Sequence, residues 1–237
     1  MKNATFLITY YAHPELLKVC LDSIEKYHSD SQIIISQQIE DGFNYKQGSS
    51  DRVKIEYHDM KHTQWAAVAS NLMMVCQTDY AVFMEHDAFL LKSLQPLMDE
   101  VQNGTYDLIG PEEICLIRNS PGMIAQNFFI INLRKMREAG LEKIWVRDIE
   151  EVKKICKNVE SGYGITQTLH NHKFMKMTQS GYGRGTFYDD YVHHLWYGSY
   201  KKRNVAHELN TLWMDYETER LIEDYWNGKI SGSNNSI

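Results

Sequence analysis

The run from Thr78 to Leu91, TDYAVFMEHDAFLL, constrains this chain more than any other stretch. Tyr80-Ala81-Val82-Phe83-Met84 is a short apolar segment with β-branched and aromatic members, and it ends abruptly in Glu85-His86-Asp87 before apolar residues resume. Such a segment predicts a strand buried on both faces. Carboxylates beside a buried strand are costly unless a cation or hydrogen-bond donors receive them. Side chains repeat every two residues along a strand, so a strand that continued straight would point Glu85 and Asp87 the same way. The pair then lies at the C-terminal end of a buried strand, where open α/β sheets bind their ligands. Hard oxygen ligands suit Mg²⁺ or Mn²⁺, and Mg²⁺ commonly arrives with substrate phosphates. The plainer alternative is a strand-to-helix turn that happens to be acidic.

The rest of the chain supplies a frame for that strand. Thr5 to Tyr10 (TFLITY) predicts a buried strand, and Pro14 opens a helix, as proline does at a first helical position. Leu16, Leu17, Cys20, Leu21, Ile24 and Tyr27 share one helix face. Gln32 to Ser36 is a second strand, so the first 40 or so residues predict a β-α-β unit with a parallel pair. Val53 to His58 is a short third strand. Gln64 to Cys76 is a helix with Trp65, Val68, Ala69, Leu72, Met73 and Cys76 on one side. Ser93 is placed to cap a following helix that carries Leu94, Leu97, Met98 and Val101. Strands are expected at Tyr106–Ile109, Gln126–Leu133 and, as an edge, Phe174–Met177. Helices are expected at Arg134–Ala139, stopped by Gly140, and at 148–159, 162–172 and 217–226. Ser180 to Tyr200 shows no clear periodicity and is expected as an ordered loop. The expectation is an α/β architecture, a mostly parallel sheet flanked by helices, in one domain over 1–230, with a disordered tail at 231–237.

Composition narrows the function classes. A length of 237 residues suffices for one substantial α/β domain. A formal charge of −6 argues against a nucleic-acid binder driven by bulk electrostatics. Cys20, Cys76, Cys115 and Cys156 form no CxxC pair, which favours reduced thiols over disulfides or zinc. With neither a secretion signal nor an apolar run of membrane-spanning length in the sequence, a cytoplasmic location is expected.

The order of features resembles the nucleotide-sugar-binding half of GT-A glycosyltransferases, particularly those of family 2. The turn after the first strand is matched by Thr9-Tyr10-Tyr11-Ala12-His13-Pro14-Glu15, the small-residue–Asn pair before the metal motif by Ser70-Asn71, and the metal-binding Asp-x-Asp by Glu85-His86-Asp87. The resemblance covers residues 4 to about 135 best. It implies a GT-A type Rossmann-like sheet, with 1–135 as the nucleotide-sugar part and 136–230 as the acceptor part. It further implies that Asp87 ligates a divalent metal, Mn²⁺ or Mg²⁺, bridging the donor's diphosphate. Glu85 would reach the metal or the ribose, and Thr9 and Tyr11 would line the nucleoside pocket. Two departures stand out: Glu85 replaces the first Asp, and Gln37-Gln38 replaces the Asp that holds the nucleobase. A glutamine amide offers both donor and acceptor to a base edge, and Glu40-Asp41 follow close behind.

Many GT-A enzymes take a third metal ligand from a histidine far down the chain, and here His193 and His194 are the candidates. The run His194-Leu195-Trp196-Tyr197-Gly198-Ser199 resembles the closing segment of such enzymes and favours His194. Adjacent residues of extended chain point oppositely, so one of the pair faces the metal. Inversion at the anomeric carbon needs a base for the acceptor hydroxyl. Glu160 stands where inverting relatives carry it, with Asp148, Glu150 and Glu151 as rivals.

The implied activity is transfer of a hexose or pentose from a UDP- or GDP-sugar to an acceptor hydroxyl, in glycan assembly. Alternatives are glycosylation of a nucleic-acid base or a protein, or a non-catalytic nucleotide-sugar-binding module. A sugar-phosphate nucleotidyltransferase lacks support, because Tyr10 to Glu15 contains none of the glycines such a loop needs.

Overall fold

The computed structural model describes residues 3–10, 14–38, 51–58, 65–113, 123–124, 127–138, 173–180 and 186–195. The expected helices after residue 140, the tail, and Tyr11, Glu160, Cys115 and Cys156 lie outside them. Strand β1 (Ala4–Tyr10) leads into helix α1 (Pro14–His28), then β2 (Gln32–Gln38) and β3 (Val53–His58). Helix α2 (Trp65–Val75) precedes β4 (Tyr80–Glu85) and the short β5 (Ala88–Leu90). Next come α3 (Gln95–Gln102), β6 (Leu108–Glu113), β7 (Met123–Ile124), β8 (Phe128–Asn132) and α4 (Leu133–Glu138). Four short strands follow: β9 (Phe174–Met177), β10 (Gln179–Ser180), β11 (Thr186–Tyr188) and β12 (Val192–His194).

The main sheet runs β3-β2-β1-β4-β8-β6-β7, with β9 beside β6. Strands β3, β2, β1 and β4 are mutually parallel. Strand β8 runs against β4 and β6, and β9 runs with β6. The central strands are apolar on both faces because helices cover both. Phe6, Ile8, Val82, Met84, Phe128 and Ile130 pack with Leu17, Cys20 and Ile24 of α1 and Leu97, Met98 and Val101 of α3. On the other face Leu7, Ile34, Ala81, Phe83 and Phe129 pack with Ala69, Leu72 and Met73 of α2, with Cys76 just beyond it, and with Leu133 and Met136 of α4. Phe83 and Phe129 stack at 4.5 Å between ring centroids. Cys20 and Cys76 are buried free thiols, as their apolar helix faces predict. Among the described residues no helix is long and apolar enough to cross a membrane.

A second, antiparallel sheet, β10-β11-β12-β5, was not legible in the sequence. It replaces the loop expected over 180–200 wherever that segment is described. Strands of two or three residues are too short for alternation to show. Two smaller corrections concern ends of elements. The strand expected at Tyr106–Ile109 begins at Leu108 and extends to Glu113. Leu94, not Ser93, is the N-cap of α3, although Ser93 Oγ still accepts the Gln95 N–H at 3.2 Å.

Helix α1 fixes the second sheet in place. Its Ser23 Oγ accepts the Leu90 N–H (3.0 Å), its Tyr27 hydroxyl donates to the Leu91 carbonyl (2.5 Å), and its His28 Nε2 accepts the Leu94 N–H (2.9 Å). Leu16 and Val19 add an apolar contact with Phe89 and Leu195. Each polar contact satisfies a backbone group that would cost about 1–3 kcal/mol if buried alone. Together they hold the chain just beyond the acidic motif.

Candidate metal centre at the end of strand β4

Strand β4 is buried along its length until Glu85, whose side chain is partly exposed. It does not continue straight. His86 and Asp87 form a turn, and β5 then enters the second sheet. The two carboxylates therefore share a site because the chain turns, not because a pleat continues. Backbone contacts fix the turn: the His86 N–H donates to the Thr9 carbonyl at 3.0 Å, and the Glu85 N–H to the Asn127 carbonyl at 3.0 Å.

His194 reaches the same place through the second sheet. Strand β12 pairs antiparallel with β5, His194 lies opposite Ala88, and the Leu195 N–H donates to the Asp87 carbonyl at 2.9 Å. The ring Nε2 stands 3.2 Å from Asp87 Oδ1 and 3.4 Å from Glu85 Oε2. His193, one residue earlier, points elsewhere. Its ring stacks on Phe187 at 4.2 Å and meets Phe89 edge-on at 5.1 Å. Burial, with the charge of His194 beside it, pushes His193 down to about 3, as expected of a core imidazole.

The electrostatics of the cluster run the other way. Burial alone would lower His194, but the adjacent Asp87 carboxylate and then Glu85 raise it to about 9. For Asp87, burial works to raise the carboxyl, yet His194 and, less strongly, His86 hold it below the ordinary carboxylate range. Two acids thus share one imidazole in a nearly dry place (Asp87 and His194 are each 2% exposed). A site of that kind favours a positive charge at its centre.

Glu85, Asp87 and His194 each offer one ligand atom, all within 4.8 Å of one another. Around an ion with bonds of about 2.1 Å, neighbouring ligand atoms stand about 3 Å apart, close to the two distances from His194 Nε2. Two carboxylate oxygens with one imidazole nitrogen suit Mn²⁺, and Mg²⁺ less well. The residues present fit a divalent ion.

The remaining predicted site residues are distributed around this corner. Thr9 is the register neighbour of Glu85 on one side and of Ser36 on the other, which makes a row across β2, β1 and β4. Gln37 pairs with Tyr10 and is wholly buried. Asn71 is half-buried on α2, and none of its described contacts joins the cluster. Asn127, which the sequence reading missed, stands behind His194 with its Nδ2 3.1 Å from the ring Nδ1. Only its place at the start of the expected QNFFIINL strand could have drawn attention to it.

No family model matches the sequence, and no curated protein does. Solved structures do match the fold. The galactosyltransferase LgtC, crystallised with donor and acceptor sugar analogues, aligns over 73% of this chain and 73% of its own at 15% identity and a TM-score of 0.54. The glycosyltransferase GlyE of Streptococcus pneumoniae TIGR4 aligns over 73% of this chain at 14% identity and a TM-score of 0.51. TarS 1–349 of S. aureus aligns over 84% at 6% identity and 0.51. The chain spans 44% of the GlyE chain and 62% of the TarS chain. At such identities the likeness is one of architecture. The mostly parallel sheet with helices on both faces is the GT-A glycosyltransferase fold.

Proposed function

We propose that this protein is a metal-dependent glycosyltransferase that moves a hexose or pentose from a nucleoside-diphosphate sugar to an acceptor hydroxyl. The observation that carries the reading is the convergence of Glu85, Asp87 and His194 at the C-terminal end of β4 in a GT-A fold. Ligands gather at that end of an open α/β sheet. Asp87 and His194, both buried, would hold the ion, Mn²⁺ or Mg²⁺, together with the partly exposed Glu85. When bound, the ion supplies Lewis-acid stabilisation of the charge that builds on the departing nucleoside diphosphate.

The other roles are those that the resemblance to GT-A enzymes implies. Thr9, beside Glu85 on the neighbouring strand, lines the nucleoside pocket together with Tyr11. Gln37 and Asn71 complete the donor side, and Glu160 serves as the base that takes the acceptor's proton. Residues 1–135 form the donor part and 136–230 the acceptor part, with a UDP- or GDP-sugar as donor and a glycan hydroxyl as acceptor in the cytoplasm.

Calorimetry with UDP- and GDP-sugars, with and without Mn²⁺, tests this reading. Donor binding is expected to require the metal. Asp87→Ala should weaken it by more than the roughly 10–100-fold typical of losing a residue behind the ligands. Equal binding with and without Mn²⁺, unchanged in Asp87→Ala, would overturn the proposal.

A further inference from the structure

Asn127 is tied to the candidate metal centre twice. Its backbone carbonyl accepts the Glu85 N–H at 3.0 Å, which anchors the end of β4. Its side-chain amide, nearly fully buried, places Nδ2 3.1 Å from His194 Nδ1. The amide oxygen, Oδ1, is buried with no hydrogen-bond partner among the described residues. Both amide atoms are thus sealed from water beside one imidazole.

An imidazole placed this way has two neutral forms. With the proton on Nε2, the ring donates toward Asp87 and Glu85, and Nδ1 accepts from the amide nitrogen. With a cation on Nε2, the proton must sit on Nδ1, and Nδ1 then needs an acceptor. A half-turn of the Asn127 amide brings Oδ1 to face it. Oxygen and nitrogen of an amide have nearly the same shape, so the turn needs no repacking, and which atom faces the ring is set by the hydrogen bond available.

We propose that Asn127 is a positioning residue for His194, its amide oxygen receiving the Nδ1–H so that Nε2 presents its lone pair to a divalent cation held with Glu85 and Asp87. The inference rests on the metal-dependent reading above and adds to it a residue that never touches the ion. An acceptor behind a ligating imidazole fixes its tautomer and orientation and makes it a better donor. It also explains why a polar side chain is kept at a position sealed from water, where an apolar one would pack without the cost of an unmatched group.

The test uses the full chain and Mn²⁺ alone, with free Mn²⁺ read from its electron paramagnetic resonance signal. Asn127→Leu, of similar size and with no acceptor, should weaken Mn²⁺ binding about 10–100-fold. Asn127→Asp, which can only accept, should restore binding to within a few-fold of wild type, a rescue that a packing role would not produce. Circular dichroism of each metal-free variant establishes that it is folded, and Asn127→Ala, which also lacks an acceptor, replaces Asn127→Leu if the latter does not fold. Loaded with Zn²⁺ as a diamagnetic probe, wild-type His194 should show its ring proton on Nδ1 in ¹⁵N-correlated spectra. If Asn127→Leu binds Mn²⁺ like wild type while Asp87→Ala does not, the role of Asn127 falls and the metal centre stands. If wild type binds no Mn²⁺, both fall.

Discussion

Buried imidazoles in this protein are tuned in opposite directions by what lies beside them. His194 faces two carboxylates and is raised, whereas His28 accepts a backbone N–H and is pushed down by burial to about 4. The sign of the consequence for His28 is fixed. Its folded value lies below the ordinary 6.5, so its contribution to stability is complete above pH 6.5 and is lost as the pH falls through about 4. The loss across that window is about 3 kcal/mol at most. Urea unfolding at pH 7.5 and pH 4 should therefore show a smaller acid penalty for His28→Gln, which keeps an acceptor but cannot take up a proton. An identical penalty in both proteins would remove His28 as a source of acid lability. At this scale the sequence was partly legible. Glu85 and Asp87 announce themselves by interrupting an apolar strand, and His194 by the run that follows it. Asn127 does not, because nothing local distinguishes an asparagine that supports a histidine from one that ends a turn.

Among the elements, the hairpin between β11 and β12 carries visible strain. Asp189 and Asp190 both adopt left-handed backbone, at φ 44 and 57, where glycine or asparagine is favoured. Asp189 is compensated, since its Oδ1 accepts the Thr178 N–H at 3.0 Å and its own N–H donates to the Thr178 carbonyl at 3.1 Å. Asp190 is exposed, and no described contact of that kind involves it. Asp190→Gly is accordingly expected to stabilise the protein by about 0.5–1 kcal/mol, read as a higher midpoint in thermal unfolding; a lowered midpoint would contradict the strain argument. The long periodic elements α1, α2, β1, β2 and β4 were legible within one or two residues of their ends, because each buries a regular apolar face. The strands of the second sheet were not: two or three residues carry no period, and their pairing is imposed by tertiary contact with α1 and β5.

For the molecule as a whole, the candidate metal centre joins two sheets. Glu85 closes a strand of the large sheet, His194 ends a strand of the small one, and Asp87 lies in the turn between β4 and β5. A cation there would bind the folded state and not the unfolded chain. Mn²⁺ at a hundred times its dissociation constant should then stabilise the protein by about 2.7 kcal/mol, and the upward shift in melting temperature should vanish in His194→Ala. A shift that survives His194→Ala would place the ion elsewhere. The α/β class and the parallel pairing of β1 with β2 were readable from the alternation of elements. That the return through β8 is antiparallel was not, because a strand buried on both faces looks the same whichever way it runs.

The pairing of β12 with β5 also has a bearing on biosynthesis. The histidine is made long after the two acids, and it joins them only once the late hairpin has zipped onto the segment following the acidic turn. A polypeptide lacking that hairpin carries Glu85 and Asp87 without the imidazole that completes the cluster. The three-residue cluster is thereby complete only once synthesis has passed residue 194.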